Sequence, residues 1–371
     1  MPIDRFSLLA PLFMVAFSLL VPSHALGQLV DRQAATIKLR YQQDELIGTA
    51  VLFSAEEVRL LGRDGQIWHL DPNHVADYAP VEPRFQPASQ AEVRGQLLRE
   101  YGRQFEVSGT GHYLVVHPAG QRQQWAERFE KLYRSFHQYF TARGIQTTQA
   151  EFPLVAVVMP NYASYREAAA EVGVRVSPGL VGFYSPRSNR VMMYDMTSIN
   201  PALEFSEESM ATLIHEATHQ TAFNAGVHSR LAPQPKWLVE GLATMFEAPG
   251  VWNSREFPRQ ADRIVKTRLA EFQQYMQQGR QPNSLADFVA EDTAYLRRPA
   301  TAYGEGWALC FYLIETRPRE FAKYLQKVAT RAADQPYPAE QRLADFQTAF
   351  GEDPNLLESH FLRYIGQLRR Q

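Results

Sequence analysis

The sequence predicts an α+β protein in which a small all-β unit precedes a larger domain made of a mixed sheet followed by helices. Three observations carry this prediction. Residues 36–70 contain short alternating runs, residues 112–194 mix strand and helix patterns, and the periodicity after Ser206 is almost entirely helical. The 371 residues exceed what one hydrophobic core usually serves, so two domains are expected.

The small all-β unit is assigned to residues 28–82. Its strands are predicted at residues 36–41, 49–53, 58–61 and 66–70. The sequence Arg63-Asp64-Gly65 between the last two strands is typical of a hairpin turn. This size and hairpin spacing suggest an SH3-like barrel. Residues 79–89 lack periodicity and predict a linker, and residues 83–108 are assigned to linker and helix.

The larger domain is assigned to residues 109–371. Strands are predicted at residues 112–117, 154–159, 180–184 and 190–194, and helices at 123–143 and 162–172. The first of these helices carries aromatic side chains at helical spacing, from Trp125 to Phe140, and ends before Gly144. Such a stripe is typical of a packed core rather than of a cofactor site.

Charge and cysteine content exclude several classes of protein. The net charge is -2, and the basic residues are scattered among acidic ones, so no surface for nucleic acid is indicated. Cys310 is the single cysteine, so the chain forms no intramolecular disulfide. Because it lies in an apolar stretch, Cys310 is predicted to be a small buried hydrophobe rather than a catalytic thiol.

The first 27 residues are typical of a secretory signal. Residues 6–21 are mostly apolar, Arg5 precedes them, and the small residues Ala25 and Gly27 follow. Cleavage after Ala25 or Gly27 is predicted, which places the mature protein outside the cytoplasm, either secreted or periplasmic. The alternative is retention as a membrane anchor, for which the run is slightly short. No later segment is apolar enough to span a membrane.

A metal-binding pattern lies on the helix that follows Ser206, a good N-cap residue. The sequence there reads His215-Glu216-Ala217-Thr218-His219. Two histidines four residues apart lie about 40° apart around a helix axis, so both imidazoles reach one ion. Glu216 leaves the helix beside His215, where it meets a water rather than the metal. The spacing therefore predicts a catalytic zinc site.

A third protein ligand is expected, since catalytic zinc has three of them and an open position. The glycine and histidine of a metzincin are absent, because Ala222 and Ala225 occupy those positions. Residues 235–247 instead predict an amphipathic helix whose apolar face carries Glu240. A carboxylate on such a face is costly unless it is paired or bound to metal, so Glu240 is the predicted third ligand.

These motifs resemble the gluzincin zinc metallopeptidases, in particular the aminopeptidase N type. The resemblance rests on His215-Glu216-x-x-His219, on Trp237-Leu238-Val239-Glu240-Gly241, and on the segment that begins Tyr303-Gly304. It covers roughly residues 206–315 and implies a gluzincin-like domain in which Glu240 binds zinc and Tyr303 stabilises the oxyanion. The layout is also similar to poorly characterised secreted bacterial members of that superfamily.

One departure from the aminopeptidases concerns the substrate. Their Gly-x-Met-Glu-Asn strand, which binds the substrate amino terminus, does not occur in this sequence. Residues 190–194 are expected at the edge of the sheet facing the cleft, where an extended peptide would pair with the backbone. The sequence therefore favours an endopeptidase acting on peptides or proteins.

Four further residues are candidates for the surroundings of the metal. Asn224 and Glu247 match positions of the gluzincin pattern, and the alternative for Glu247 is a charge on the helix surface. Thr244 would face the same way as Glu240 and hydrogen-bond a ligand histidine. His228 is either an alternative ligand or a solvated loop histidine. The other histidines are dispersed and are predicted to be structural.

The predicted reaction is peptide hydrolysis, in which zinc activates a water, Glu216 accepts its proton, and Tyr303 donates to the oxyanion. A rival hypothesis is a catalytically silent scaffold that keeps the gluzincin fold and its zinc. Glu216 argues against that hypothesis, because a structural zinc site needs no base. The small β domain would bind cell-wall or protein ligands in a third hypothesis, which is compatible with the first.

Overall fold

The structure is a computed structural model that describes residues 34–121, 124–176, 179–196, 207–351 and 353–368. The predicted signal, residues 1–27, and the N-cap Ser206 lie outside these ranges. Helices occupy 51% and strands 19% of the described residues, with an all-β region first and most of the helices after it, so the α+β class is confirmed. Among the described residues, no helix is both long enough and apolar enough to cross a membrane.

The all-β region is one five-stranded antiparallel sheet in the order β4-β3-β2-β1-β5. Its strands are β1 (Thr36–Tyr41), β2 (Asp44–Phe53), β3 (Val58–Gly62), β4 (Ile67–Leu70) and β5 (Val75–Glu82). Glycine is required at position 65 in the β3–β4 turn, where φ is +87°. Strand β5 extends into the stretch predicted as a linker.

A second five-stranded sheet has the order β6-β7-β8-β10-β9. Its strands are β6 (Phe105–Gly109), β7 (Tyr113–Pro118), β8 (Leu154–Met159), β9 (Gly182–Ser185) and β10 (Arg190–Tyr194). Strand β8 runs parallel to both β7 and β10, whereas β6 and β9 are antiparallel to their neighbours. The expectation that residues 190–194 form the sheet edge is wrong, because the short β9 pairs outside them.

Helices cover both faces of this sheet, which explains the continuous apolar sequence of β8. Alternate β8 residues beginning at Leu154 pack with α2 (Gln124–Thr141) and α4 (Glu207–Asn224) in the main core. The intervening residues beginning at Val155 pack with α1 (Gln90–Tyr101) and α3 (Tyr162–Glu171) in a second core. Helix α1 and strand β6 therefore belong to this sandwich, although α1 and all but the last residue of β6 lie within residues 83–108, which were expected to be linker and helix.

The remaining helices follow without further strands in the described residues. They are α5 (Lys236–Phe246), α6 (Pro249–Trp252), α7 (Lys266–Gln278), α8 (Leu285–Ala290), α9 (Thr293–Arg297), α10 (Pro299–Thr316), α11 (Pro318–Ala329), α12 (Ala339–Phe350) and α13 (Pro354–Gln367). Helices α4, α5 and α10 carry the predicted site residues.

Helices α5 and α10 approach each other unusually closely. A Cβ atom added to Gly241 would lie against the carbonyl of Gly306 and 2.8 Å from the sulfur of Cys310. Cys310 is fully buried at this contact, as predicted from its apolar surroundings. Small residues at facing positions thus let the backbone that carries Glu240 pack directly on the helix that carries Tyr303.

A buried ion network fixes the other side of α10. Arg280 pairs with Glu305 at 2.9 Å and also with Glu358 of α13, and both Arg280 and Glu305 are almost fully buried. Arg298 makes a second ion pair with Glu305, at 3.2 Å. Because removing one member of such a network leaves a buried charge without its partner, the network locks the position of α10.

Candidate metal centre

Three side chains from two helices converge at one point. His215 and His219 lie one turn apart on α4, and their Nε2 atoms are 3.0 Å from each other. Glu240 comes from α5, and its Oε2 lies 3.4 Å from the Nε2 of His215 and 3.6 Å from that of His219. The packing of α5 against α4 thus supplies the third member of the predicted ligand set.

The three ligand atoms suit a zinc ion. Zinc–ligand bonds of about 2.0–2.2 Å at tetrahedral angles set neighbouring ligand atoms roughly 3.4 Å apart. The observed separations of 3.0, 3.4 and 3.6 Å lie on either side of that value. Two imidazoles and one carboxylate, all within 4.8 Å of one another, form the donor set expected for zinc rather than for calcium or magnesium.

Glu247 orients the first histidine. Its Oε1 lies 2.8 Å from the Nδ1 of His215, and both side chains are about 15% exposed. A carboxylate at this distance accepts the Nδ1 proton, which leaves the lone pair of Nε2 free for a metal. Glu247, one of the candidates for the surroundings of the metal, therefore lies directly behind the predicted ligand His215.

The local electrostatics favour a positive charge between these groups. Burial opposes protonation of His215, but its hydrogen bonds to Glu240 and Glu247 outweigh burial and raise its pKa to about 10. Burial likewise opposes ionisation of Glu240, yet hydrogen bonds from His215 and His219 hold the pKa of that carboxyl well below its usual range. The site is thus organised around an ionised carboxylate and a cation, and a bound metal ion would take the place of the proton.

Glu216 lies beside the ligands without joining them. Its side chain is turned toward the second sheet, where its Oε2 accepts a hydrogen bond of 2.7 Å from the backbone N–H of Tyr184 in β9. The residue is only 9% exposed. The carboxylate is therefore held at the edge strand, next to the ligand cluster and outside it.

Tyr303 reaches the site from the first turns of α10. Burial and the nearby negative charge of Glu240 raise the pKa of its hydroxyl above the usual value. The phenol therefore stays protonated and is available as a donor. Tyr295 contacts the ring edge-on at 5.3 Å, and the guanidinium of Arg268 lies 5.4 Å from the ring centre.

Three other candidates lie away from the ligand atoms. The Asn224 amide hydrogen-bonds Asn189 in the turn between β9 and β10, at 2.7 and 3.0 Å. The Thr244 hydroxyl is buried and has no hydrogen-bond partner among the described residues, so the prediction that it bonds a ligand histidine is wrong.

His228 is neither a ligand nor a solvated loop residue. It is 3% exposed, and neither ring nitrogen has a hydrogen-bond partner within the described part of the chain. It packs against Phe223, with 5.1 Å between ring centres. Burial, reinforced by the nearby His219, lowers the pKa of His228 to about 3, so the imidazole is neutral. His228 is thus a core residue.

The contact between Glu216 and the backbone of Tyr184 was missed from the sequence. A backbone donor leaves no mark on residue identity, and the pattern places β9 only approximately.

Taken together, these side chains form a His-His-Glu cluster, flanked by one separate glutamate and one tyrosine. A family model described as "Protein of unknown function (DUF1570)" matches residues 209–334, about a third of the 371-residue chain. The matched region contains His215, Glu216, His219, Glu240 and Tyr303. A search of curated proteins finds no match.

Proposed function

We propose that this protein is an extracytoplasmic zinc-dependent peptidase that hydrolyses internal bonds of peptides or proteins. The observation that carries the proposal is the convergence of His215, His219 and Glu240 at zinc-like separations, with Glu216 beside them. A purely structural zinc site is closed by four ligands, whereas a catalytic site has three and keeps a nearby base. The gluzincin resemblance of the same residues supports this reading.

Bound zinc would supply a Lewis acid that brings the pKa of a water near neutrality and polarises the scissile carbonyl. Glu216 accepts the proton of the attacking water and returns it to the leaving amine. Glu247 keeps the Nδ1 of His215 protonated and its Nε2 directed at the ion. Tyr303, with a protonated hydroxyl beside Glu240, donates a hydrogen bond to the negative charge that develops on the carbonyl oxygen.

The edge strand suggests how a substrate is held. Tyr194 N donates to Val181 O, so by antiparallel alternation Gly182 and Tyr184 direct their backbone groups away from β10 and toward the free edge. Glu216 meets Tyr184 at that edge. An extended peptide pairing with β9 would therefore run past the base. Such pairing does not require a free amino terminus, and it supports an endopeptidase over an aminopeptidase.

The decisive experiment compares wild-type protein with two variants on a broad peptide library, with and without a chelator. Glu216→Gln keeps the size of the side chain and all three ligands, so we expect full zinc and no turnover. Glu240→Ala removes a ligand, so both zinc and turnover should be lost. A zinc-loaded wild-type protein that cleaves no peptide, or a Glu216→Gln variant that is as fast as wild type, would favour the silent scaffold.

A further inference from the structure

The turn between β9 and β10, residues 186–189, is in direct contact with the small β domain. The N–H of Ile67, the first residue of β4, donates to the carbonyl of Arg187 at 2.8 Å. A Cβ atom on Gly65 would lie 3.2 Å from the side-chain Nδ2 of Asn189, so the two turns are in close contact. The β domain therefore touches the element that carries the edge strand.

Arg230 joins the same two turns. Its Nη2 donates to the carbonyl of Gly65 and to that of Pro186, both at 2.6 Å, and its Nε donates to Pro186 at 2.8 Å. The residue is 9% exposed, and no carboxylate of the described residues forms an ion pair with it. A buried guanidinium that bonds only to carbonyls is costly to desolvate, so its three hydrogen bonds must be well formed.

Helix α4 contacts the turn from the other side. Asn189 and Asn224 of α4 exchange two side-chain hydrogen bonds, and the Tyr184 hydroxyl donates to the Asn189 side-chain oxygen at 2.9 Å. Gln220 of α4 donates to the backbone carbonyl of Asn189 at 2.7 Å. Asn189 has φ of +58°, a left-handed conformation that asparagine tolerates better than most residues. The turn is thus fixed between α4 and the β domain.

We propose that Arg230 is a positioning residue that fastens this turn to the β domain and so keeps the N–H of Tyr184 on the carboxylate of Glu216. Pro186, which accepts two of the Arg230 hydrogen bonds, is two residues from Tyr184 along the hairpin. Tyr184 in turn donates to Glu216 at 2.7 Å. The catalytic meaning of this contact rests on the proposed role of Glu216 as the base.

The proposal assigns a task to the small β domain. A domain that served only as a tether would need no contact with the edge strand. Here it supplies the Gly65 carbonyl that accepts a hydrogen bond from Arg230 and the Ile67 N–H that donates to the carbonyl of Arg187. The β domain is therefore part of the scaffold that orients the edge strand, whatever else it binds.

The test compares Arg230→Lys with a matched control, Arg59→Lys. Arg59 also crosses from the β domain to the helical part, where its Nη1 donates to the carbonyls of Leu231 and Ala333, but it does not touch the β9–β10 turn. Lysine keeps the positive charge in both variants and loses the planar fork. Any effect of weakened domain contact alone would therefore be shared by the two variants.

Hydrogen exchange of peptides that span residues 182–190 is the first measurement. We expect exchange to be faster by roughly tenfold in Arg230→Lys and unchanged in Arg59→Lys, because only the former loses bonds to the turn. Unchanged exchange in Arg230→Lys, or an equal increase in both variants, would overturn the proposal. If Arg230→Lys does not fold, Arg230→Gln takes its place, since a neutral amide leaves no buried charge.

The kinetic measurement uses the best substrate from the peptide library. Misplacement of the base should lower kcat by roughly tenfold in Arg230→Lys, with zinc content and the kcat of Arg59→Lys unchanged. Faster exchange with an unchanged kcat would overturn the positioning role. An inactive wild-type protein would refute the proposed function. The exchange measurement needs no turnover, so it would still test whether Arg230 fastens the β9–β10 turn.

Discussion

Glu247 offers the sharpest test of the proposed metal centre, because it would act on a bound zinc ion through a single hydrogen bond. Its Oε1 lies 2.8 Å from the Nδ1 of His215, and the two side chains are 16% and 15% exposed, so solvent screens the contact weakly. A hydrogen bond to a charged group contributes about 1.5–3 kcal/mol, against about 0.5–1.5 kcal/mol for a neutral one. Glu247→Gln keeps the shape and an oxygen acceptor but removes the charge.

The difference of about 1–1.5 kcal/mol predicts a loss of roughly tenfold in zinc affinity for Glu247→Gln. Glu247→Ala removes the acceptor altogether, and its loss should approach about a hundredfold, the upper end for residues that support a ligand histidine. The assay is a competition titration of the zinc-free protein against a chromophoric chelator at neutral pH.

Glu256→Gln is the control for this titration. Glu256 is an exposed carboxylate that bonds Asn253 and makes no contact with the metal ligands. Its replacement should leave the zinc dissociation constant at the wild-type value. The reasoning fails if Glu247→Gln binds zinc within a factor of two of wild type, or if Glu256→Gln weakens binding equally.

Three further predictions concern Tyr303, Gly241 and His228. Tyr303→Phe should retain zinc and lower kcat by roughly a hundredfold, and an unchanged kcat would exclude the hydroxyl from the reaction. Gly241→Ala should lower the free energy of unfolding in urea by about 1–3 kcal/mol, because the new methyl group meets the Gly306 carbonyl; an unaltered midpoint would contradict that close contact. His228 has a pKa of about 3 in the folded protein and an ordinary value of about 6.5 when unfolded, so its contribution to stability is complete above about pH 6.5 and decreases as the pH falls toward 3. His228→Gln should therefore reduce the acid dependence of the unfolding free energy by up to about 1.4 kcal/mol per pH unit below pH 6.5, and an identical slope in both proteins would refute this.

Elements with strong local patterns were predicted closely. Strands β8 and β10 have the predicted ends, and α2 lies within the predicted helix, since a continuous apolar run and an aromatic stripe are visible in any context. Strand β5 extends into residues 79–89, which were predicted as a linker because they lack periodicity and carry Pro83 and Pro87. Its side chains are mostly exposed, so little apolar alternation marks it as a strand. Strand β6 follows α1 directly and is paired on one side only, so little in its sequence distinguishes it from a connection.

In the site, too, features set by local sequence were predicted and features set by tertiary packing were not. The position of His219 relative to His215 follows from helix geometry alone, and the isolated carboxylate of Glu240 on an apolar face is a local anomaly that demands a partner. The contact between Tyr184 and Glu216 depends on how a strand packs beside a helix, and no residue type records it. The burial of His228 likewise depends on the path of a loop, which the composition of that loop did not indicate.

Cys310 gives this protein a built-in reporter of opening. The thiol is fully buried between α5 and α10, with its sulfur 3.9 Å from the carbonyl of Trp237, and it is the single cysteine of the chain. Burial also raises its pKa, which suppresses the reactive thiolate. A thiol-labelling reagent can therefore modify it only while the two helices are apart. The labelling rate measures how often the helices carrying Glu240 and Tyr303 separate, without an engineered probe.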